Sequence, residues 1–414
     1  MSGAAVYTLT SPLHDRESVE TVSSSFLASL ERLAGCRLEV KGPDFSGYGS
    51  SPLSLVYVRT GGTEGIFMDL YSRYGELFRS SPVRLLASGE GNSLAAAMEI
   101  LSFLRQQGCR GEIIHGPAAS VARRISMLMK VEDAYAGLEG RRYGIIGKPS
   151  DWLIASPAGS RAAESALGVT LVEIGMDELV SEIRRKEYPE PAAGLLKPGN
   201  LQLEGALYIY GALRRTAEKY GLSGFTLRCF DLLGAVGNTG CLALSLLNSE
   251  GMVAGCEGDV PAMLTMAISR ALTGSSGFQA NPARVDAEKG DIVFAHCTIP
   301  LDMLKDYSYD THFESGIGVA VCGEMEKGDL TVFKVSHDLS RYFVCEASLV
   351  ENLHEKSLCR TQLYLHTESD LSYFLTDPIG NHHVIMKGRC SALVSAFMDR
   401  LSSGTPARTS ETPA

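Results

Sequence analysis

The hydrophobic pattern of this chain changes character at Gly274, and few folds satisfy both halves. Up to that point, continuous apolar runs alternate with stretches of helical period; beyond it, short apolar runs follow one another with only turn-like residues between them. LSLVYV at 53–58 and YGIIG at 143–147 are apolar without alternation, as parallel strands buried on both faces are. Amphipathic segments such as SVETVSSSFLASLERLAG, SLAAAMEILSFLRQQG and LEGALYIYGALRRTAEKYG lie between such runs. The first part therefore predicts two doubly wound α/β domains, over 1–140 and 141–275. In the last part DIVFAHC, GIGVAVCG, DLTVFKVSH, RYFVCEASLV, RTQLYLHT, SYFLT and HHVIMKG read as strands, and SALVSAFMDRLS as a closing helix. This predicts a β-rich barrel or sandwich over 276–402. The proline-rich EYPEPAAGLLKPG reads as a surface connection, and the Ser, Thr and Pro-rich tail 403–414 as disordered.

Composition narrows the function classes. A net charge of -10 speaks against sequence-independent binding to nucleic acid or to an anionic membrane, which needs a basic surface. No apolar run approaches the ~18 residues of a membrane span. Residues 1–15 lack the basic and apolar regions of a secretion signal, so a cytoplasmic protein is expected. Ten cysteines contain no CxxC pair, which argues against a disulfide framework and a structural zinc site and leaves them as buried small hydrophobes.

The stretch Val253–Asp286 is the most informative for chemistry. A short apolar strand, MVAGC, gives way at Glu257 to a helix that closes on Gly274. Such strand-to-helix turns are where open α/β sheets gather ligands, because strand ends and helix N-termini share one crevice. Asp259 fits the N-cap and Pro261 the first turn, which is a sufficient structural role for both. Glu257 has no such role. A carboxylate at the end of a buried strand needs a cation beside it, either an arginine or a metal.

Other polar groups carry two readings each. Gly237, Asn238 and Thr239 open a helix as a polar N-terminus suited to a ligand oxygen, or simply cap it. DPIGNHHVI places His382 and His383 at a strand entry, where one should point inward and the other outward, as a metal ligand or as surface residues. THFESG puts His312 and Glu314 on one side of an extended segment, facing a site or solvent. His296 of FAHCTIP lies in an apolar strand, as a core histidine or a site residue. The glycine loops at 60–62 and 89–91 fit neither GxGxxG nor a P-loop, and neither GxSxG nor HExxH is present.

Several of these segments resemble one known family. The runs CEGDVPAMLTMAISRALTG, AHCTIP, THFESGIGVAV, VENLHEKSLCRTQ and DPIGNHHVIMKG, with GIIGKPSDWLIAS at 144–156, resemble the L-fucose isomerase family and its L-arabinose isomerase relatives, most nearly a shorter fucose-isomerase-like branch. The likeness runs from about 141 to 402; before that it rests on architecture. It implies an aldose–ketose isomerase with a divalent metal, most often Mn²⁺, held by a glutamate, an aspartate and a histidine. Carried over by motif, the glutamate is Glu257 and the histidine is His382 or His383. Asn281 of FQANP stands where the family has its aspartate. An amide oxygen can coordinate a hard cation but cannot carry a proton.

The reaction so implied moves a proton from C2 to C1 through a cis-enediol while the metal polarises both oxygens. Glu257 would then be ligand and base, with Asp259, Asp286 or Glu314 available for the second proton transfer. Ser150, Trp152, His296 and His312 sit in matching motifs and are the expected sugar contacts. A homo-trimer or homo-hexamer acting on a small sugar is the implied assembly. Two rivals follow from the Asn281 departure: a non-catalytic sugar-binding or regulatory protein on the same scaffold, and a metal-assisted epimerase.

Overall fold

A computed structural model describes residues 3–42, 44–157, 161–195 and 202–401. The tail 403–414 and the end of the proline-rich connection, 196–199, lie outside the described residues. The chain packs as two units, one over 3–136 with 396–401 and one over 137–395.

In the first unit the elements are β1 (Gly3–Leu9), α1 (Arg16–Ala34), β2 (Arg37–Val40), β3 (Leu53–Val58), α2 (Glu64–Ser80), β4 (Val83–Ala87), α3 (Ser93–Gln106), β5 (Gly111–Ile114) and α4 (Ala118–Leu138). All five strands are parallel, in the order β2-β1-β3-β4-β5. Alternate side chains of β1, β3 and β4 feed two separate apolar cores, one on each face of the sheet. That two-sided burial is why these strands read as continuous apolar runs. Asp15 caps α1 by accepting from the Ser18 N–H, and Gly35 ends it in left-handed backbone. β2, α2 and α4 go beyond the elements predicted. β2 is an edge strand with a single buried residue, Leu38, so it carries almost no pattern.

The second unit opens with another parallel sheet: β6 (Arg142–Ile146), α5 (Arg161–Leu167), β7 (Thr170–Ile174), α6 (Met176–Ile183), α7 (Leu203–Tyr220), β8 (Gly224–Leu227), α8 (Asp231–Val236), α9 (Cys241–Ser249), β9 (Val253–Cys256) and α10 (Val260–Thr273). Its order is β7-β6-β8-β9, so the chain reverses direction across the sheet between β6 and β8. The loops after β6, β8 and β9 therefore open at one switch point, the usual ligand crevice of such sheets. The predicted helix opening at Gly237–Thr239 is not an opening. Gly237 ends α8 in left-handed backbone, Asn238 bonds to the Gln202 carbonyl and the Thr239 N–H, and the Thr239 hydroxyl pairs with Val319. The side chains of Asn238 and Thr239 are thus engaged within the protein, and the N-cap of α9 is Gly240, with no side-chain cap.

A closed barrel follows, built from β10 (Phe278–Asp286), β11 (Asp291–His296), β14 (Asp329–Val335), β15 (Tyr342–Leu353), β16 (Thr361–His366) and β17 (His383–Lys387) in the order β10-β11-β16-β15-β14-β17. All its pairings are antiparallel. β12 (Asp306–Asp310) and β13 (Ala320–Glu324) form a separate pair; α11 (Tyr373–Thr376) and α12 (Ser391–Leu401) complete the elements. The layout of two parallel α/β sheets before a β-rich part is the one predicted, and the β-rich part is a barrel. One local expectation fails. SYFLT is the short helix α11 and not a strand, because Asp370 accepts from the Ser372 N–H to start a turn while Tyr373 stacks on Phe343 at 3.9 Å. FQANPARVD, outside the predicted strands, is β10, and its register shifts between Pro282 and Arg284. Among the described residues, no helix is long and apolar enough to cross a membrane. All ten cysteines are free, and most are buried, as composition suggested.

The turn from β9 into α10 is tightly built. Glu257 and Gly258 both lie in left-handed backbone, with φ of 62° and 71°. A Cβ at Gly258 would fall 2.5 Å from the Lys148 carbonyl oxygen and 2.8 Å from the Pro149 Cα. Gly258→Ala is expected to lower unfolding stability by about 2–4 kcal/mol. Gly274→Ala, with open space around its Cβ position, should cost only about 1 kcal/mol. Equal denaturation midpoints for the two variants would contradict this reading of the turn.

The barrel also carries a pH-sensitive pair. His366 Nδ1 lies 2.9 Å from Asp291 Oδ1 across β16 and β11, and its Nε2 lies 3.3 Å from Glu368. These hydrogen bonds, Asp291 first, raise the His366 pKa. A raised folded-state pKa stabilises fully below the unfolded value of about 6.5, and that contribution is lost as pH rises through the folded value. NMR titration should find the imidazole above ~6.5 and Asp291→Asn should bring it down; an unshifted wild-type value would refute the pairing.

Candidate functional site

Three loops and two barrel strands converge where β9 ends. Glu257 occupies the first position after β9, in a backbone conformation that costs a non-glycine residue about 1 kcal/mol or more. Four hydrogen bonds hold it there. The Ser150 N–H donates to the Glu257 carbonyl at 2.9 Å, and the Gly258 N–H to the Leu227 carbonyl at 3.0 Å. Gln279 of β10 clamps the preceding residue, its Oε1 accepting from the Cys256 N–H and its Nε2 donating to the Cys256 carbonyl. The parallel sheet and the barrel are thus tied together at the residue before the carboxylate.

Two imidazoles face that carboxylate. His296, the last residue of β11, brings Nε2 to 3.7 Å from Glu257 Oε1, and His382, just before β17, brings Nε2 to 3.5 Å. The two ring centroids are 5.4 Å apart and the ring planes cross at 65°. One donor atom from each of Glu257, His296 and His382 falls within 4.8 Å of the others, and all three residues are buried. Ligand atoms sharing one ion with bonds near ~2.1 Å sit about 3–4 Å apart, so the spacing suits a metal.

The outer nitrogens of both rings are fixed. His382 Nδ1 lies 2.8 Å from Asp259 Oδ2 and His296 Nδ1 lies 3.0 Å from the Thr298 hydroxyl. With its Nδ1–H given to Asp259, neutral His382 presents a lone pair on Nε2. That Nε2 is buried and has no hydrogen-bond partner among the described residues. An orphaned, pre-aimed imidazole nitrogen beside a carboxylate oxygen is what a metal ligand looks like before it binds. Two imidazoles and one carboxylate suit manganese, iron, cobalt or zinc and leave coordination positions open.

The electrostatics agree. Burial works to raise the Glu257 carboxyl, but His382 and His296 outweigh it and hold it well below the usual range. Burial would lower His382, yet Glu257 and Asp259 overcome it and push the imidazole up to about 9. The pocket favours positive charge between two buried carboxylates, which either a proton or a divalent ion supplies.

The predicted residues divide in an informative way. His383 is not part of the cluster: its Nδ1 meets the Asn381 carbonyl, its Nε2 meets the Tyr373 hydroxyl, and its ring lies among Phe343 and Phe374. Burial and the charge of Lys334 bring its pKa down to about 3. Both histidines are fully buried, against the expectation of one in and one out, because α10 covers the outer face of β17 while the other face lines the barrel. Asp259 caps α10 by accepting from the Ala262 N–H and holds His382 with its other oxygen. Fully buried, it supports the cluster and does not line it. Asn281 is half-buried on β10, its amide oxygen accepting from Asn381.

Trp152, half-exposed in the loop after β6, donates its indole N–H to Glu257 Oε2 at 2.7 Å. Its ring meets Phe230 edge-on, and Phe230 meets His312 likewise. Ser150 lies beside them with a buried hydroxyl that has no partner among the described residues. His312 and Glu314 do not share a side. The segment is a turn closed by the Gly316 N–H on the His312 carbonyl, with His312 buried and bonded to Ser315 while Glu314 is exposed. Sequence reasoning missed Gln279, Thr298 and Lys334. The last left a signal, a lysine inside the apolar run of β14, where a charge needs a buried partner.

No family model matches the chain. Among curated proteins it is similar to the sulfoquinovose isomerases of Priestia aryabhattai and Priestia megaterium, 25% identical to each over 241 residues, 54% of this chain and 53% of theirs. A sulfoquinovose isomerase of Alkalicoccus urumqiensis is 22% identical over 270 residues, 61% of this chain and 60% of its own. The chain thus spans about half the length of the curated relatives it matches, and its likeness to them is to enzymes named as sugar isomerases.

Proposed function

We propose that this chain is a metal-dependent aldose–ketose isomerase, with Glu257, His296 and His382 as protein ligands to a divalent ion, Mn²⁺ first among candidates. The observation that carries the reading is the buried His382 Nε2, without a hydrogen bond among the described residues and 3.5 Å from Glu257 Oε1. The sulfoquinovose isomerase relatives support the reaction class and make a sulfonated hexose the first sugar to try.

A bound divalent ion would supply a Lewis acid that draws electron density from O1 and O2 of an open-chain sugar. The protein groups do the rest. Glu257 Oε1 faces the imidazoles, while Oε2, which accepts from the Trp152 N–H, is assigned to take a proton from C2 and return it to C1. The hydroxyl proton on O2 is transferred to O1, so the aldose becomes a ketose through a cis-enediol with no net gain or loss. Asn281 cannot carry a proton, and Asp259 has both oxygens engaged in the interior. Glu257 is therefore assigned both ligand and base roles. Trp152 and Phe230 offer aromatic faces beside it, suited to the apolar face of a sugar ring.

The test needs no substrate at first. After chelation, adding Mn²⁺ at about a hundredfold its dissociation constant should stabilise the wild type by roughly 2.7 kcal/mol, seen as a higher melting temperature. Glu257→Gln and His382→Ala should lose that response. The emission of Trp152, the one tryptophan, should shift as well, because its N–H is bonded to the carboxylate that would bind the ion. With a substrate sugar, solvent deuterium should appear on the carbon next to the carbonyl. Metal binding without any deuterium uptake across aldoses and sulfoquinovose would instead favour a sugar-binding protein.

A further inference from the structure

Lys334 is the least expected group in the second unit. It sits on β14 between Phe333 and Val335, fully buried, and its Nζ has no hydrogen-bond partner among the described residues. Its nearest charged atom is Asp259 Oδ2, at 3.8 Å, on a carboxylate equally buried. An isolated buried ammonium is so costly that its position calls for a reason.

The backbone fixes that position from two sides. The Val335 N–H donates to the Thr265 hydroxyl of α10 at 3.2 Å, which registers β14 against the helix whose N-cap is Asp259. The loop before β17 closes over the ammonium: a Cβ at Gly380 would lie 3.9 Å from Nζ and 3.8 Å from Cε. Lys334 and His382 thus both face Asp259 Oδ2. When His382 acts as a metal ligand it must be neutral, because its Nε2 lone pair goes to the ion. Lys334 is then the cation that faces Asp259 among the described residues.

We propose that Lys334 is a positioning residue for the metal centre, holding the Asp259 carboxylate so that it takes the Nδ1–H of His382 and keeps Nε2 aimed at the ion. The order of action is Lys334 to Asp259 to His382 to metal, and Lys334 touches neither ion nor sugar. This inference rests on the metal-centre reading above. Outer partners of ligand histidines affect metal affinity by about 10–100-fold, and Lys334 is assigned an effect of that size, relayed through Asp259.

The test is Mn²⁺ binding to the metal-free full chain by calorimetry, with K334M, D259N and the double variant. K334M keeps the length and removes the charge. It should raise the Mn²⁺ dissociation constant about 10–100-fold, D259N should do likewise, and the double variant should be no weaker than the weaker single, because both act along one path. K334M that lowers the melting temperature but binds Mn²⁺ as the wild type does would make Lys334 merely structural and overturn the proposal. Additive losses in the double variant would also overturn it. If K334M does not fold, the double variant, which buries no unpaired charge, carries the test, and wild-type affinity there refutes the proposal. A wild type that binds no divalent ion refutes the metal-centre reading itself, and this inference with it.

Discussion

The site depends on one turn in which the chain leaves β9 and enters α10. Within four residues, Cys256 is clamped by Gln279, Glu257 and Gly258 are held in left-handed backbone, and Asp259 caps the helix. A side chain in that backbone region is unfavourable by itself, and the surrounding hydrogen bonds from Ser150 and to Leu227 make it the stable choice. The benefit is geometric. The Glu257 carboxylate is turned away from the strand direction toward the barrel, where β11 and β17 deliver two imidazoles.

Charge explains the rest of the arrangement. Glu257 and Asp259 are two carboxylates removed from water with one residue between them, and each has cationic or hydrogen-bonding partners on separate elements. Asp259 joins α10, the His382 segment and β14 through a single carboxylate. Such a network is stable only when every member is satisfied, and here His382 Nε2 and Lys334 Nζ are left without hydrogen bonds among the described residues. Polar groups elsewhere in the crevice turn inward to one another, as Asn238 and Thr239 do. Of the two nitrogens left without hydrogen bonds, only His382 Nε2 lies beside the Glu257 carboxylate oxygen that can share an ion with it.

Much of the fold could be read from periodicity, since parallel strands buried on both faces and strands closing a barrel impose different apolar spacings. Glu257 could be read for a related reason: a carboxylate ending an apolar strand has no cheap explanation in the interior. Other features had weak local signals. β10 contains Pro282, which a local bulge accommodates, and α11 is one turn selected by the stacking of Tyr373 on Phe343. The choice between His382 and His383 had no local signal at all. Adjacent residues on a strand face opposite ways, but whether both faces are buried depends on what α10 covers.

The sequence by itself determined the order of layers, the strand-to-helix turn at Glu257 and the set of polar residues from which a site could be made, because these follow from nearest-neighbour propensity and spacing. Tertiary structure alone decided which of them meet. His296 and His382 lie 39 and 125 residues beyond Glu257 in the chain, and the antiparallel register of β11 and the entry to β17 bring them to 3.7 Å and 3.5 Å from its carboxylate. Lys334, silent in any motif, faces Asp259 because Thr265 sets β14 against α10. Contacts between distant segments are set by closure of the barrel on the sheet, and local spacing carries no record of that closure.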